Sequence, residues 1–452
     1  MGSFAGKAAK DKTPRRPGPQ VAALALAALL AASPGGAQVA PDTDWRTLDT
    51  PHFSVTFPAG LEELARHAAA RAEAAWERLS RVLPEPDPGR IELLLTGDVD
   101  LSNGLASVSP ARRVIVYLRP PVDGYALAHF DDWLDLVITH ELAHVFHLDV
   151  TGPLGGFLRR VFGRLPVPWP LFPGRGTPAW TTEGLATWYE SEFTGVGRTG
   201  GTFFEMMLRT AALDGTFAPV DRASGISPEW PGGETAYLYG SLFFDHLLEK
   251  YGAGRMLDFV RAVGGQWVPY RLNAAARTAF GVSFSREWET WAALWAQRAR
   301  EQVAELEAAG GVTRPESLTR EARLAVSPRV APDGTVAFAR ADGRSDPQLR
   351  VLDRDGEGTH FLHRTNDLAR FDWAPDASVV YAQVEFQDPY RIFSDLWRRH
   401  PDGRVERLSR GARLDQPAVS PDGRRIVAIQ YEGAGTRLVT RAMEGGSLEP
   451  LT

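Results

Sequence analysis

The segment with the clearest chemical content is His140-Glu141-Leu142-Ala143-His144. On an α-helix, His140 and His144 are four residues apart and leave the same face, so their imidazoles can hold one zinc ion. Glu141 lies beside them, where its carboxylate can take a proton from a metal-bound water. The alternative is two core histidines and a capping glutamate that share this spacing by chance.

The elements around the motif must place it on a buried helix. Asp131 and Asp132 are typical of a helix N-terminus. The following positions are hydrophobic on nearly all sides, which predicts burial: Trp133, Leu134, Leu136, Val137, Ile138, Leu142, Val145 and Phe146. Burying two histidines and a carboxylate is costly unless a metal or a cleft accounts for them.

A second predicted helix, over 180–193, carries Glu183-Gly184-Leu185-Ala186. Pro178 precedes it, and Thr181 or Thr182 is the expected N-cap, which places Glu183 in the first turn. A catalytic zinc takes three protein ligands and leaves one position for water, so a third ligand is required. Without the histidines, Glu183 would be interpreted as a capping-box or helix-dipole residue.

H-E-x-x-H followed by E-G-L-A resembles the gluzincin zinc metallopeptidases, in their peptidase MA-like branch, over about residues 53–251. The resemblance implies that His140, His144 and Glu183 hold one Zn²⁺ and that Glu141 is the general base. It further implies a tyrosine that stabilises the oxyanion. Tyr237, three residues before a glycine, matches that position; Tyr239 is the alternative, and for either one core packing is equally acceptable.

Three further residues near the motif have open roles. His147 lies close to the ligand face, but a core or supporting role is favoured over ligation. Thr187 stands where many gluzincins carry a carboxylate that orients a ligand histidine, and a hydroxyl is a poor substitute; Asp149 is the alternative orienting residue. The aminopeptidase signature G-x-M-E-N is absent, which favours endopeptidase action.

The composition excludes several kinds of site and indicates where the protein is located. The chain has 452 residues and no cysteine, which excludes disulfides, thiol catalysis and cysteine-ligated zinc. Residues 1–37 have a basic segment, a short apolar run and small residues before a cleavage point after Ala37, which predicts a signal peptide and a periplasmic or secreted bacterial protein. Its removal would change the net charge from −6 to −10, which argues against nucleic-acid binding, and no other segment is expected to span a membrane.

The first folded domain is expected over 41–310, with α+β character. Strands are predicted at 52–57, 91–96 and 114–118, and helices at 61–82, 203–213, 236–251, 254–263 and 284–308. The strand at 114–118 is the candidate edge strand that aligns an extended substrate. The Gly/Pro-rich segment 151–179 is expected to be a loop: a lid over the cleft is preferred, static packing has about equal weight, and contact with a membrane surface is weaker.

Residues 316–452 have a different pattern, with short strands and repeated turns. Pro332-Asp333, Pro375-Asp376 and Pro421-Asp422 each precede a hydrophobic strand, and they recur at intervals of about 40–50 residues, the length of a propeller blade. This pattern resembles the TolB-type, WD40-like propeller family. About three blades are expected, which is fewer than a closed propeller needs.

The sequence as a whole predicts a gluzincin-like α+β metallopeptidase domain followed by an all-β, incomplete β-propeller. The expected function is zinc-dependent hydrolysis of a polypeptide substrate, with a possible envelope protein partner bound by the propeller. Two alternatives stay open: an inactive peptidase fold that serves as an interaction scaffold, and a metal-dependent hydrolase of a non-peptide bond.

Overall fold

The computed structural model describes residues 39–122, 127, 129–225, 230–320, 323–353 and 358–451. The predicted signal peptide, residues 1–37, lies outside these ranges. The chain from Gln38 onward forms one compact unit, so the predicted division at residue 310 stays a prediction. In the described part, no helix is both long and apolar enough to span a membrane.

A five-stranded mixed sheet opens the fold. Its strands, in chain order, are β1 (Trp45–Asp49), β2 (Phe53–Pro58), β3 (Ile91–Thr96), β4 (Gly104–Ser107) and β5 (Arg113–Tyr117). The spatial order is β1-β2-β3-β5-β4, with β2, β3 and β5 parallel to one another. The strand predicted at 114–118 is therefore an interior strand. The edge strands are β1 and β4; β4, which pairs antiparallel with β5, was not predicted.

Two helices pack together behind this sheet. Helix α1 (Glu62–Ser80) follows β2, and its row of alanines allows close packing against helix α2 (Trp133–Leu148). The side chain of Asp132 caps α2 by accepting hydrogen bonds from the backbone amides of Leu134 (3.0 Å) and Asp135 (3.3 Å). Nearly every residue of α2 is buried, as its hydrophobicity predicts.

The rest of the first part is helical. The helices are α3 (Pro153–Phe162), α4 (Ala179–Thr194), α5 (Thr202–Leu213), α6 (Thr235–Tyr251), α7 (Arg255–Gly264), α8 (Leu272–Phe280) and α9 (Phe284–Ala308). Helix α4 packs between α2 and α6. Its N-cap is Pro178 and not Thr181 or Thr182, so Glu183 is the fifth helical residue and lies beyond the first turn.

The prediction that 151–179 is a loop was wrong in part. The segment contains α3 and a short 3₁₀ turn at Pro173–Gly176. Its buried residue Arg159 pairs with Asp149 and also contacts the backbone carbonyl oxygen of Leu171. A guanidinium is an unusual group to bury, and the fixed partners of this one tie the segment to the end of α2, which favours the static-packing alternative over a lid.

The C-terminal part consists of four-stranded antiparallel sheets, each a simple meander. The strands of the first are Leu324–Val330, Val336–Ala341, Gln348–Leu352 and Thr359–Arg364; those of the second are Phe371–Trp373, Val379–Phe386, Ile392–Arg399 and Val405–Arg407; those of the third are Leu414–Val419, Arg425–Glu432, Gly435–Ala442 and Glu449–Pro450. One apolar cluster lies between the first and second sheets, and another between the second and third.

This is a propeller-like arrangement, as the repeats predict, and no closed barrel is formed by the described strands. Each predicted Pro-Asp pair lies in the turn between the first and second strands of its sheet. In that turn the aspartate of the second sheet, Asp376, accepts a hydrogen bond from the backbone amide of Ser378 (3.0 Å), and Asp422 of the third sheet does the same for Arg424 (3.0 Å). The repeated aspartate therefore closes the turn.

Candidate metal centre

Three side chains from two helices converge at the bottom of a cleft. His140 and His144 lie one turn apart on α2, and Glu183 faces them from α4. The two histidine Nε2 atoms are 3.2 Å apart, and Glu183 Oε2 is 3.5 Å from Nε2 of His140 and 3.3 Å from Nε2 of His144. Among the described residues, these three form the group whose donor atoms could hold a metal ion.

The residues present fit a zinc ion. A tetrahedral zinc with bonds of about 2.0–2.1 Å has ligand atoms about 3.3–3.4 Å apart, which is the size of the triangle formed here. Two neutral imidazoles and one carboxylate form a His₂Glu donor set, which leaves a fourth position open to the cleft. The two histidines and Glu183 are therefore arranged as a zinc site requires.

The charges of the cluster agree with a cation-binding site. Burial opposes protonation of His140, but the hydrogen bonds that its ring donates to Glu183 and Glu190 outweigh it and raise its pKa to about 9. Burial alone would raise the pKa of Glu183, yet His144 and His140 hold it far below its usual range. A metal ion bound here would displace the proton of His140, because a ligand imidazole must be neutral.

The orientation of His140 is fixed by a carboxylate. Its Nδ1 donates a hydrogen bond to Glu190 Oε2 (2.7 Å), which leaves Nε2 directed at Glu183 and His144. Glu190 is fully buried and is held by Arg198, whose Nη2 and Nε donate to it at 2.7 and 2.8 Å. Burial would raise the pKa of Glu190, but Arg198 and His140 outweigh it and lower the pKa to about 2.

Glu141 faces the same cleft without being a member of the donor triangle. The described residues offer its carboxylate no hydrogen bond, and burial raises its pKa. The edge strand leaves room for it: a Cβ on Gly104 would lie 2.7 Å from Cγ and Oε1 of Glu141. Gly104 is therefore required by the position of Glu141, a role that the sequence analysis missed.

The two tyrosines have different environments. Tyr237 lines the cleft, its ring stacks near His140 with centroids 6.3 Å apart, and Arg198 lies 4.6 Å from the ring centroid. Burial raises the pKa of Tyr237 well above its usual range, with Glu183 acting in the same direction, so the hydroxyl keeps its proton. Tyr239 is buried against Trp288, and its hydroxyl accepts a hydrogen bond from the backbone amide of Ala218 (2.9 Å).

The remaining predicted residues lie outside the donor triangle. His147 is buried, both ring nitrogens lack a hydrogen-bond partner in the described structure, and burial, together with His144, lowers its pKa to about 3. Thr187 Oγ1 is likewise buried without a partner, so it does not orient a histidine. Asp149 pairs with Arg159 and Arg164 and does not orient one either.

The orienting pair, Glu190 and Arg198, was missed by the sequence analysis. A signal for Glu190 existed: it lies seven residues, two helical turns, after Glu183 and therefore on the same face of α4. No comparable signal exists for Arg198, because it lies after α4 and is brought back by left-handed turns at Gly195 (φ 72°) and Gly197 (φ 92°).

The cleft above the triangle has a volume of about 460 Å³. One wall is the edge strand β4 with the preceding Ser102 and Asn103, and the floor is α2. Arg175 and Thr177, from the end of the segment 151–179, also line the cleft. The site therefore combines a donor triangle of two buried histidines and a partly buried glutamate with an open groove beside the edge strand β4.

No protein-family model matches this chain, and comparison with curated proteins finds no match. Among solved structures it is similar to TolB from Acinetobacter baumannii (17% identity, 30% of this chain and 34% of that one, TM-score 0.27). It is also similar to a TolB-like protein from Agrobacterium tumefaciens (22% identity, 31% of this chain and 53% of that one, TM-score 0.27). A third similar structure is the β-propeller domain of the Trilobed protease from Pyrococcus furiosus (17% identity, 28% of this chain and 56% of that one, TM-score 0.19). The chain spans about a third to a half of the length of these structures. Similarity at this level carries no functional conclusion.

Proposed function

We propose that this protein is an exported zinc-dependent metallopeptidase of the gluzincin type. It binds its substrates in an open groove and acts as an endopeptidase. The observation that carries the proposal is the triangle of donor atoms from His140, His144 and Glu183, with Glu141 facing the same cleft. A bound zinc ion would polarise the scissile carbonyl and lower the pKa of a water molecule.

The side chains around the triangle have separate tasks. Glu141 accepts a proton from the attacking water and returns it to the leaving amine, and its raised pKa suits a group that must both take and give a proton. Tyr237 keeps its hydroxyl proton and donates a hydrogen bond to the developing oxyanion. Glu190 and Arg198 hold His140 in the tautomer and orientation that ligation needs.

A polypeptide is the substrate that the groove accommodates best. Among the described strands, β4 pairs with β5 alone, so its other edge is open to a further strand; the Gly104 amide donates a hydrogen bond to Asn103 Oδ1 (2.9 Å). Gly104, Leu105 and Ala106 of this strand line the cleft. An extended peptide can add to such an edge through main-chain hydrogen bonds, which positions its carbonyl over the triangle.

The interaction-scaffold alternative has its own support in the propeller-like sheets, which offer a surface for an envelope protein. The two functions make different demands on the cleft. A scaffold needs neither the metal nor Glu141, whereas a peptidase needs both. A hydrolase of a non-peptide bond would need both but would not use the edge strand.

The deciding experiment measures zinc content and hydrolysis of casein or a quenched fluorescent peptide on the same samples. Glu141→Gln should keep zinc and lose at least about 10²-fold in kcat, while Glu205→Gln, an exposed glutamate on α5, should change neither. Chelation should abolish hydrolysis, and zinc should restore it. Zinc without hydrolysis in the native protein would favour the scaffold, and hydrolysis of esters but not peptides would favour the second alternative.

A further inference from the structure

Large apolar side chains are exposed beside the cleft on two segments of the chain. Helix α3 and the residues after it contribute Leu154, Phe157, Val161, Phe162 and Leu165, and the turn after α7 contributes Trp267, Val268 and Tyr270. Phe157 and Phe162 are 59% and 61% exposed, and Trp267 and Tyr270 are 74% and 72% exposed. We call this set the apolar patch. Contiguous exposed apolar residues on a soluble chain usually mark an interaction surface.

The two segments lie against each other. A Cβ on Gly152, the residue before α3, would lie 3.3 Å from the carbonyl oxygen of Gly264. Trp169 Nε1 donates a hydrogen bond to the carbonyl oxygen of Gln266 (3.1 Å). Residues on both sides of this contact also line one small surface cavity, among them Leu154 and Trp267. The two segments that carry the apolar patch are therefore in contact.

The charged residues of the two segments that carry the patch have a single sign. Residues 150–182 and 259–286 contain no aspartate or glutamate, although the chain as a whole has a net charge of −6. Arg160, Arg175 and Arg271 are exposed there and form no ion pair with described residues. By contrast, Arg159 and Arg164 pair with the buried Asp149 and with Asp87, a half-exposed carboxylate from outside these segments. Three unpaired cations thus surround an apolar, aromatic-rich surface.

We infer that the apolar patch docks onto the surface of an anionic lipid membrane. Exposed aromatic and aliphatic side chains insert at the boundary between headgroups and acyl chains, and tryptophan and tyrosine favour that depth. Arginines around such a surface bind anionic headgroups. A protein partner would ordinarily present charges of both signs, and the absence of any carboxylate from these two segments favours the lipid surface.

The patch lies next to the cleft, so docking affects which substrates reach the cleft; this step rests on the proposed function. Arg175 lines the cleft, and Gly176 beside it lies against Tyr270, where a Cβ would be 2.7 Å from the ring. Docking therefore brings the mouth of the cleft close to the headgroups. The substrates favoured by this geometry are polypeptide segments that lie at the membrane surface.

Docking is tested by sedimentation of the protein with vesicles, with and without chelator, so that the result is independent of zinc and of peptidase activity. We expect binding to vesicles of phosphatidylglycerol and phosphatidylethanolamine that weakens with salt, and little binding to phosphatidylcholine alone. Phe157→Ser with Trp267→Ser should lower the partition coefficient about tenfold or more, because each lost side chain removes buried apolar area. Arg160→Gln and Arg271→Gln should each lower it roughly fivefold.

The matched control is Phe361→Ser with Phe386→Ser, two phenylalanines of similar exposure in the propeller-like part. All variants carry the same N-terminal 37 residues, so any binding by that segment cancels in the comparison. Equal vesicle binding by the patch variant and the control would overturn the proposal. So would a patch variant that binds vesicles normally but no longer self-associates in sedimentation velocity, because the patch would then be a protein interface. Circular dichroism confirms that each variant is folded.

Discussion

Gly184 of α4 and Gly240 of α6 touch each other through their backbones. A Cβ on Gly184 would lie 2.3 Å from the carbonyl carbon of Gly240, and a Cβ on Gly240 would lie 1.9 Å from the carbonyl oxygen of Trp180. Only glycines allow two helices to cross this closely. The crossing brings Glu183 and Tyr237, each close to one of these glycines, into the same cleft. The glycine in E-G-L-A is therefore a packing requirement of the site.

Gly184→Ala should accordingly damage both stability and the metal site. The added methyl group meets backbone atoms, which cannot move aside as a side chain can, so we expect a loss of about 3 kcal/mol or more in the free energy of unfolding. Zinc content should fall with it, because Glu183 shifts with the helix. The control is Gly156→Ala in α3, where a Cβ meets nothing within 4 Å. Wild-type stability and zinc content in Gly184→Ala would contradict this account.

Glu190→Gln should weaken zinc binding while leaving the fold intact. The amide can still accept a hydrogen bond from His140, but it lacks the charge that balances Arg198 and increases the basicity of the ring. Loss of such an orienting carboxylate typically costs 10- to 100-fold in metal affinity, so we expect a change of about that size in a competitive chelator titration. Glu192→Gln, an exposed neighbour on the same helix, is the matched control. Equal affinities in the two variants would show that Glu190 is only a buried partner of Arg198.

Much of the site could be predicted because His140 and His144 are four residues apart, the spacing that places two side chains on one face of a helix. His140, His144 and Glu183 lie on two helices that are evident in the sequence, although α4 begins earlier than predicted, and the structure brings the three residues together. The blade turns were predictable for a similar reason, since each needs an aspartate at a fixed place. Each of these features is determined by residues that lie close together in the sequence.

The elements that were not predicted depend on tertiary contacts. Helix α3 contains Gly155 and Gly156, so its intrinsic helix propensity is low; it is held in place by buried Arg159. Strand β4 has four residues and its place at the sheet edge follows from how the chain returns from β3. Asp149 was a reasonable orienting candidate from its distance along the chain. It pairs instead with Arg159 and Arg164, so its role is structural.

Replacing the two tyrosines by phenylalanine should separate a catalytic hydroxyl from a structural one. Tyr237→Phe should lower kcat about 10²-fold or more, as the loss of an oxyanion donor does, and leave KM, zinc content and stability close to wild type. Tyr239→Phe should leave kcat unchanged but lower the free energy of unfolding by about 1–3 kcal/mol, because the amide of Ala218 loses its buried acceptor. Steady-state kinetics and denaturant titration measure the two effects. The opposite assignment of effects would make Tyr239 the catalytic tyrosine.

The loop between β3 and β4 is fixed to the propeller-like part by a buried ion pair. Asp100 is fully buried; its Oδ1 accepts a hydrogen bond from Arg413 Nε (2.9 Å), and its Oδ2 accepts one from the backbone amide of Ser394 (3.0 Å). Val99 beside it pairs with Ile392 as an isolated parallel bridge. Because this loop leads directly into the strand that lines the cleft, the propeller-like sheets help to position that strand.

Asp100→Ala should therefore lower the stability of the chain and raise its KM for a peptide substrate. Removing one partner of a buried pair leaves Arg413 uncompensated, which typically costs about 3–5 kcal/mol. The KM for a peptide should rise because β4 is less firmly held, while zinc content stays unchanged because Asp100 is not a member of the donor triangle. Glu449→Gln is the control: it breaks an exposed pair with Arg425, worth about 0–1 kcal/mol. If Asp100→Ala loses stability but keeps the wild-type KM, the propeller-like part supports the fold without positioning the edge strand.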